Sequence, residues 1–257
     1  DASRAGCPLG EGDLVTARYE IRSSLDAPTA YPEYDRLVAD KKVTMGIIFG
    51  QIEHGELSSY DWGFLSFNAM TRAFRDKGFR VTSQLEGGNG HRMARTYTGG
   101  LVVEIEMWNP RSFADNVDRA QANDTFRAIM KRNEVIYYNG HAFYGSLTVL
   151  DERSAYPEDT YQIIFMDACW SYAYYTKQIF RNKATEADPT GYVLADVINN
   201  TEPGITGSEH TAVVLYDQLF TGAARAHARR STRLYSWNNI VKYMNEHAER
   251  RAAARQR

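Results

Sequence analysis

The sequence predicts an α/β protein with a mostly parallel central sheet and helices on both of its faces. Short, almost wholly apolar segments alternate with longer segments whose apolar residues recur at helical spacing, which is typical of a parallel sheet. The chain has 257 residues, 43% of them hydrophobic and 24% charged, as expected for a globular protein with a sizeable core. No apolar run reaches about 18 residues, so no membrane span is expected.

The predicted elements follow from local patterns. Residues 43–49 form an apolar run closed by Gly50, which favours a strand buried on both faces. Asp61 is the predicted N-cap of a helix that ends at Gly78. The other predicted strands are residues 79–85, 92–97, 101–108, 135–138, 161–166 and 192–198. The other predicted helices are residues 113–132, with a break near Asn123, and residues 171–180, 209–220 and 237–247.

One domain with two flanking segments is expected. Residues 1–40 contain several prolines and glycines and no long apolar pattern, so they are predicted to be an N-terminal extension. Residues 41–245 carry the alternating elements and form the predicted domain. Residues 246–257 are charged and rich in alanine, and we predict that they form a fraying helix end or a tail. No signal peptide is visible, and the 17 tyrosines slightly favour an exported protein.

Charge and motifs exclude several classes of partner and cofactor. The 30 basic and 32 acidic residues give a net charge of −2, so the chain has no global positive field to hold nucleic acid. No zinc-binding spacing, phosphate-binding loop or dinucleotide fingerprint occurs, and we expect neither a metal nor another cofactor. The glycine-rich residues 87–90 fit a hairpin turn. Cys7 and Cys169 are expected to be free thiols, with a single bond between them as the alternative.

Two reactive side chains follow consecutive buried strands. His141 comes three residues after the strand 135–138, and Cys169 comes three residues after the strand 161–166. The carboxyl ends of parallel strands meet at one edge of a sheet, and the 28 positions from His141 to Cys169 allow a crossover between such strands. We therefore expect the imidazole and the thiol to emerge side by side.

A thiol beside an imidazole is a minimal nucleophilic catalyst. The imidazole takes the thiol proton or stabilises the thiolate, which attacks a carbonyl carbon and forms an acyl-enzyme. The imidazole then protonates the leaving amine and later activates water. The backbone N–H groups of Gly140, Ala142 and Cys169 are the candidate donors to the oxyanion.

Each of these residues also has an ordinary structural interpretation. A cysteine after a buried strand is more often a small core residue than a nucleophile. Trp170 and Tyr172 are expected to pack in the core, and the alternative is that they form walls of the substrate pocket. His54 also follows an apolar strand and is the rival of His141, although chain order and sheet topology favour His141. His91 is expected on the surface.

The segments VIYYNGHAFYG and YQIIFMDACWS each run from an apolar strand into a reactive side chain. Together they resemble the caspase-like superfamily of cysteine peptidases, which includes caspases, metacaspases, legumain, gingipain and clostripain. The resemblance extends over residues 43–220, because it includes the opening strand and helix and the segment NNTEPGITGSEH. Within the superfamily, the chain most resembles the clostripain-like and metacaspase-like members. The resemblance implies a three-layer α/β sandwich and a cysteine endopeptidase that acts on protein or peptide substrates through His141 and Cys169.

The resemblance also implies cleavage after Arg or Lys. In clostripain-like enzymes and metacaspases, the Asp that matches Asp167 serves the pocket for a basic side chain. Asp167 lies two residues before Cys169, so both side chains should face one cleft, where a carboxylate pairs with a cation. Glu202 and Asp196 are further acidic candidates near that cleft. The alternative for Asp167 is a strand-end carboxylate that accepts hydrogen bonds from nearby amides.

One position departs from the family pattern. A Gly usually follows the catalytic His, whereas this chain has Ala142, which does not adopt a positive φ without strain. The alternative function is therefore a caspase-like domain that has lost catalysis and serves as a binding or scaffolding module. A third interpretation is another acyl transfer, such as peptide ligation, by the same two side chains.

Overall fold

The chain folds around a seven-stranded sheet in a computed structural model, which describes residues 29–204, 207, 209–229 and 234–255. The strands are β1 (Lys42–Phe49), β2 (Arg80–Gln84), β3 (Gly90–Thr96), β4 (Val102–Trp108), β5 (Val135–Asn139), β6 (Gln162–Asp167) and β7 (Ala195–Asn199). The helices are α1 (Tyr34–Leu37), α2 (Trp62–Asp76), α3 (Arg119–Arg132), α4 (Ser171–Lys183), α5 (Glu209–His227) and α6 (Trp237–Arg255). Cys7 lies outside the described residues.

The sheet is mostly parallel, with β1 at its centre. Its order from edge to edge is β2-β3-β4-β1-β5-β6-β7. β1 pairs in parallel with β4 and β5, and the parallel pairing continues through β6 to β7. β3 runs antiparallel to its neighbours β2 and β4, so the hairpin turn predicted at residues 87–90 is confirmed. The parallel strands direct their carboxyl ends to one edge, where sheets of this kind carry their functional groups.

Alternate residues of the strands pack on two helical layers. On β5, Val135 and Tyr137 lie in the core shared with α2, α5 and α6, whereas Ile136 and Tyr138 lie in the core shared with α3 and α4. All four side chains are buried. The predicted class, an α/β protein with helices on both faces of a mostly parallel sheet, is therefore confirmed.

Helix boundaries follow local caps. α2 begins after its predicted cap, Asp61, whose carboxylate accepts the Gly63 backbone N–H at 2.7 Å. The helix predicted over residues 113–132 is shorter than expected, because the Asp118 carboxylate accepts the Gln121 backbone N–H at 3.1 Å and starts α3 there. α3 then runs without the predicted break. Of the helices within the described ranges, none combines the length and apolar character needed to cross a membrane.

The first described helix packs on the sheet domain. Tyr34 and Leu37 of α1 are buried in the core that α5 also lines. The Tyr34 hydroxyl donates to the Tyr235 backbone carbonyl at 2.9 Å, which ties α1 to the segment before α6. Residues 1–28 of the predicted extension lie outside the described residues, and α6 runs through most of the predicted tail to Arg255.

A half-buried carboxylate next to β5 gives the fold a testable pH dependence. Glu134 accepts hydrogen bonds from the Thr44 backbone N–H at 2.9 Å and from the Thr44 hydroxyl, and burial raises the pKa of Glu134 from its usual 4.5 to about 7. The pKa of Glu134 is higher in the folded protein than in the unfolded chain, so protonation of Glu134 stabilises the folded state. This stabilisation is complete below about pH 4.5 and is lost as the pH rises through about 7.

Glu134→Gln keeps an acceptor and removes the charge. We expect it to raise the free energy of unfolding by about 1–3 kcal/mol at pH 8 and to change it little at pH 4.5. Urea denaturation at the two pH values measures the difference, with the exposed Glu158→Gln as the control. An equal effect of Glu134→Gln at both pH values would contradict the prediction.

Candidate active site

The register between β5 and β6 brings His141 and Cys169 to the same edge of the sheet. Asn139 pairs with Asp167 at the carboxyl ends of these two parallel strands. His141 and Cys169 each follow that pair by two residues, so both leave the sheet at the same level. Both are half-buried, and Cys169 is a free thiol.

The imidazole of His141 is held through one of its nitrogens. Its Nε2 lies 2.8 Å from the carbonyl oxygen of Ile52. Since a carbonyl oxygen only accepts, Nε2 carries a proton, and Nδ1 is the basic nitrogen of the neutral ring. The ring of Phe143 meets the imidazole edge to face, with centroids 5.8 Å apart. His141 is thus oriented by a third group, as a catalytic base requires.

Asp61 fixes the loop that supplies this carbonyl oxygen. Its buried carboxylate accepts the backbone N–H groups of Ile52 at 3.0 Å and Glu53 at 2.8 Å on one oxygen, and caps α2 with the other. The sequence identified Asp61 only as a helix cap. No local pattern in the sequence indicates that Asp61 also binds the backbone of the loop after β1, because this contact depends on that loop folding back onto the start of α2.

His54 lies beside His141. The two rings are nearly parallel, with an interplanar angle of 12° and centroids 5.4 Å apart. The His54 side chain is 82% exposed, and its Nδ1 lies 3.5 Å from the carboxylate of Asp115. The rival imidazole therefore belongs to the same site, as a more exposed neighbour of His141.

Two backbone features favour negative charge on the sulfur of Cys169. The Gly204 backbone N–H donates to Sγ at 3.3 Å. Cys169 also lies two residues before Ser171, the first residue of α4, and the macrodipole of a helix favours an anion at its amino end. The residue is half-buried rather than enclosed in the core.

Three backbone N–H groups beside the two side chains are available to an oxyanion. Within the described residues, the N–H groups of Gly140, Ala142 and Cys169 donate to no protein acceptor. Ala142 has a φ of −78° and a ψ of −10°, so the positive φ that would strain alanine does not arise there. Positive φ occurs instead at the next two residues, Phe143 and Tyr144. The departure from Gly at this position therefore creates no conformational obstacle.

Close packing explains why a glycine precedes His141. A Cβ on Gly140 would lie 2.6 Å from the hydroxyl oxygen of Tyr138. That hydroxyl donates to the His141 backbone carbonyl at 2.8 Å. A larger residue at position 140 would displace the Tyr138 hydroxyl and loosen the backbone that carries the imidazole.

Asp167 is buried and hydrogen-bonded on both carboxylate oxygens. One oxygen accepts from the Tyr137 hydroxyl at 2.7 Å and from the Asn139 amide at 3.3 Å, and the other accepts from the Asn200 amide at 2.8 Å. Burial, together with the charge of Asp167, raises the pKa of Tyr137 well above its usual value, so the phenol remains a donor. These donors offset the cost of burying the carboxylate.

A cleft of about 350 Å³ opens beside these groups. The acidic residues in its lining are Asp167 and the exposed Glu202. The cleft also reaches Gly204, whose N–H contacts the Cys169 sulfur, so it adjoins the thiol. The lining contains two carboxylates and no basic side chain, which suits a cationic group. The remaining lining residues are Asn199, Asn200, Thr201 and Pro203.

Four side chains lie elsewhere than the sequence predicts. Asp196 lies near the amino end of β7 and accepts from the Trp237 indole at 2.8 Å, so it is remote from the cleft. His91 is buried rather than on the surface, and that burial lowers its pKa. Trp170 and Tyr172 are exposed rather than packed in the core.

The described residues do not indicate a metal centre. Across the described ranges, no group of three or more His, Cys, Asp or Glu side chains is placed to hold a metal ion.

Comparison with protein-family models, with curated proteins and with solved structures finds no match. Function is therefore inferred from the geometry of the chain's own residues.

The hydrogen bond from the Gly204 backbone N–H to Sγ of Cys169 gives a test of thiol reactivity. Gly204→Pro removes the N–H that donates to Sγ, whereas Gly204→Ala keeps it, because a Cβ there meets its nearest atom at 3.4 Å. At pH 7 we expect iodoacetamide to alkylate Cys169 about fivefold more slowly in Gly204→Pro than in Gly204→Ala, since the thiolate loses a donor. Mass spectrometry of the modified peptide measures both rates, and equal rates would refute this role of Gly204.

Proposed function

We propose that this chain is a caspase-like cysteine endopeptidase that cleaves peptide bonds after Arg or Lys. The observation that carries the proposal is the β5–β6 register, which leaves an oriented imidazole and a half-buried free thiol at adjacent strand ends. The mostly parallel sheet with helices on both faces agrees with the three-layer sandwich that the resemblance around His141 and Cys169 implies.

In the first half-reaction, Nδ1 of His141 takes the proton of the Cys169 thiol while Nε2–H stays bonded to the Ile52 carbonyl. The sulfur then bonds to the substrate carbonyl carbon, and the electron pair of the C=O bond moves to the oxygen. The N–H groups of Gly140, Ala142 and Cys169 stabilise that oxyanion. When the C=O bond re-forms, the C–N bond breaks and the imidazolium gives its proton to the leaving amine.

In the second half-reaction, water takes the place of the amine. His141 removes a proton from the water as its oxygen bonds to the thioester carbon, and the same N–H groups hold the second oxyanion. The C–S bond then breaks, the carboxylic acid product leaves, and the sulfur regains its proton from the imidazolium. The two half-reactions consume one peptide bond and one water and regenerate both side chains.

The basic side chain of the substrate binds in the cleft beside the thiol. Asp167 is buried at that cleft, so an ion pair with it forms away from bulk water and contributes strongly to binding. Glu202 is exposed, and an ion pair at an exposed carboxylate contributes little. Asp167 is therefore the main determinant of specificity, and Glu202 attracts the same charge from the edge of the cleft.

Substitution of the two candidate catalytic side chains tests the chemistry. We expect Cys169→Ala and His141→Ala to lower kcat/KM for a fluorogenic peptide with Arg before the scissile bond roughly a thousandfold or more. His54→Ala serves as the matched control, and its loss should stay below about tenfold, because the His54 side chain is 82% exposed and its Nδ1 contacts the exposed carboxylate of Asp115. Wild-type turnover by Cys169→Ala would overturn the proposal, and equal losses for the two histidines would overturn the assignment of His141.

Substitution in the cleft tests the preference for a basic side chain. We expect Asp167→Asn to lower kcat/KM for an Arg peptide about a hundredfold, because the buried charge partner is lost, and Glu202→Gln to lower it less than about threefold. The same peptide with Met in place of Arg is the control, since it is similar in length and uncharged. If Asp167→Asn reduces turnover of both peptides equally, Asp167 supports the fold rather than specificity.

A further inference from the structure

Four exposed aromatic side chains flank the candidate catalytic residues, and we call them the aromatic rim (Phe143, Tyr144, Trp170 and Tyr172). Two of them follow His141 within three residues, and two follow Cys169 within three residues. Their exposed fractions are 42% for Phe143, 89% for Tyr144, 46% for Trp170 and 59% for Tyr172. Core packing does not account for rings that are exposed to this extent, and clustered exposed apolar groups mark interaction sites.

The backbone of the rim is strained. Phe143, Tyr144 and Trp170 have φ values of 45°, 50° and 49°, in the left-handed region that side-chain-bearing residues rarely adopt. Within the described residues only two other non-glycine residues, Lys41 and Arg229, have a positive φ. Strain of this kind persists where surrounding contacts impose it, and it concentrates at binding and catalytic sites.

α4 connects the two halves of the rim. The Tyr175 hydroxyl donates to the Ala142 backbone carbonyl, which anchors the loop that carries Phe143 and Tyr144. At the start of the same helix, the Trp170 backbone N–H donates to the Glu202 carbonyl at 3.1 Å. α4 therefore links the loop that carries Phe143 and Tyr144 to the segment that carries Trp170, next to Glu202 of the acidic cleft.

We propose that the aromatic rim is an extended substrate subsite that binds apolar side chains next to the basic residue at the scissile bond. This inference rests on the proposed function, because it places a polypeptide across Cys169. An extended chain advances about 3.3 Å per residue, so the neighbours of the scissile residue pass over the side chains adjacent to the thiol and the imidazole. Those side chains are Trp170 and Phe143, whose exposed ring surface such a substrate would cover.

Quenched fluorogenic peptides with one central Arg test the subsite. Leu, Phe or Ser is placed in turn directly before or directly after the Arg. For the wild-type protein we expect kcat/KM to be about tenfold higher with Leu or Phe than with Ser in at least one of the two positions. Equal rates for all peptides in both positions would overturn the proposal.

Variants of Trp170 distinguish the effect of its ring on substrate preference from the effect of its strained backbone. Trp170→Gly relieves the left-handed strain but removes the ring, whereas Trp170→Phe keeps a ring. We expect the preference for Leu over Ser to fall below about twofold in Trp170→Gly and to persist in Trp170→Phe. Tyr243→Ala, which removes an exposed ring on α6, should keep the wild-type preference. A wild-type preference in Trp170→Gly and in Tyr144→Ala alike would exclude the rim as the subsite.

Binding measured without turnover distinguishes a failure of this inference from a failure of the proposed function. Calorimetric titration of the Cys169→Ala protein with the Leu and Ser peptides should give Kd values about tenfold apart, and Trp170→Gly in the same background should bring them together. If wild-type protein cleaves no peptide but this difference in Kd remains, the rim is supported and the peptidase activity is refuted. If peptides are cleaved without any effect of the flanking residue on kcat/KM or Kd, the activity stands and the subsite is refuted.

Discussion

The parallel register of β5 and β6 is the constraint on which the candidate site depends. Asn139 lies opposite Asp167, and the same number of residues separates each strand end from its reactive side chain. A slip of one residue would move a side chain by about 3.3 Å and turn it to the other face of the sheet. Packing on both faces opposes such a slip, because the Tyr137 ring meets Phe165 at 5.4 Å on one face while Ile136 and Ile164 are buried on the other.

Two buried carboxylates, Asp61 and Asp167, lie in different parts of the candidate site at these strand ends. Asp61 uses both of its oxygens on backbone N–H groups, so it shapes the loop that orients His141. Asp167 accepts from side chains of β5 and of the segment after β7, and it lines the cleft beside the thiol. Each carboxylate is held by several donors, which offsets its desolvation and fixes its position. One carboxylate therefore positions the base, and the other supplies the charge of the cleft.

The sequence predicts those features that short-range patterns and sheet topology determine. Apolar runs are sufficient to locate the strands, and parallel topology is sufficient to bring two strand ends to one edge. The start of α3 was missed because the cap at Asp118 competes with an apolar pattern that begins earlier. The burial of His91 and the stacking of His54 on His141 depend on contacts between segments distant in sequence, which a local pattern does not encode.

The aromatic residues after His141 and Cys169 are the clearest case in which local sequence logic fails. An apolar pattern at Trp170 and Tyr172 predicts burial, yet both rings are exposed, and Trp170 has a left-handed backbone. Exposure of the rings and a left-handed backbone both oppose folding. Under the proposed subsite, a bound substrate covers the exposed surface of the rings and offsets part of that cost. In this chain, the disagreement between pattern and structure therefore marks the surface that we propose as a substrate subsite.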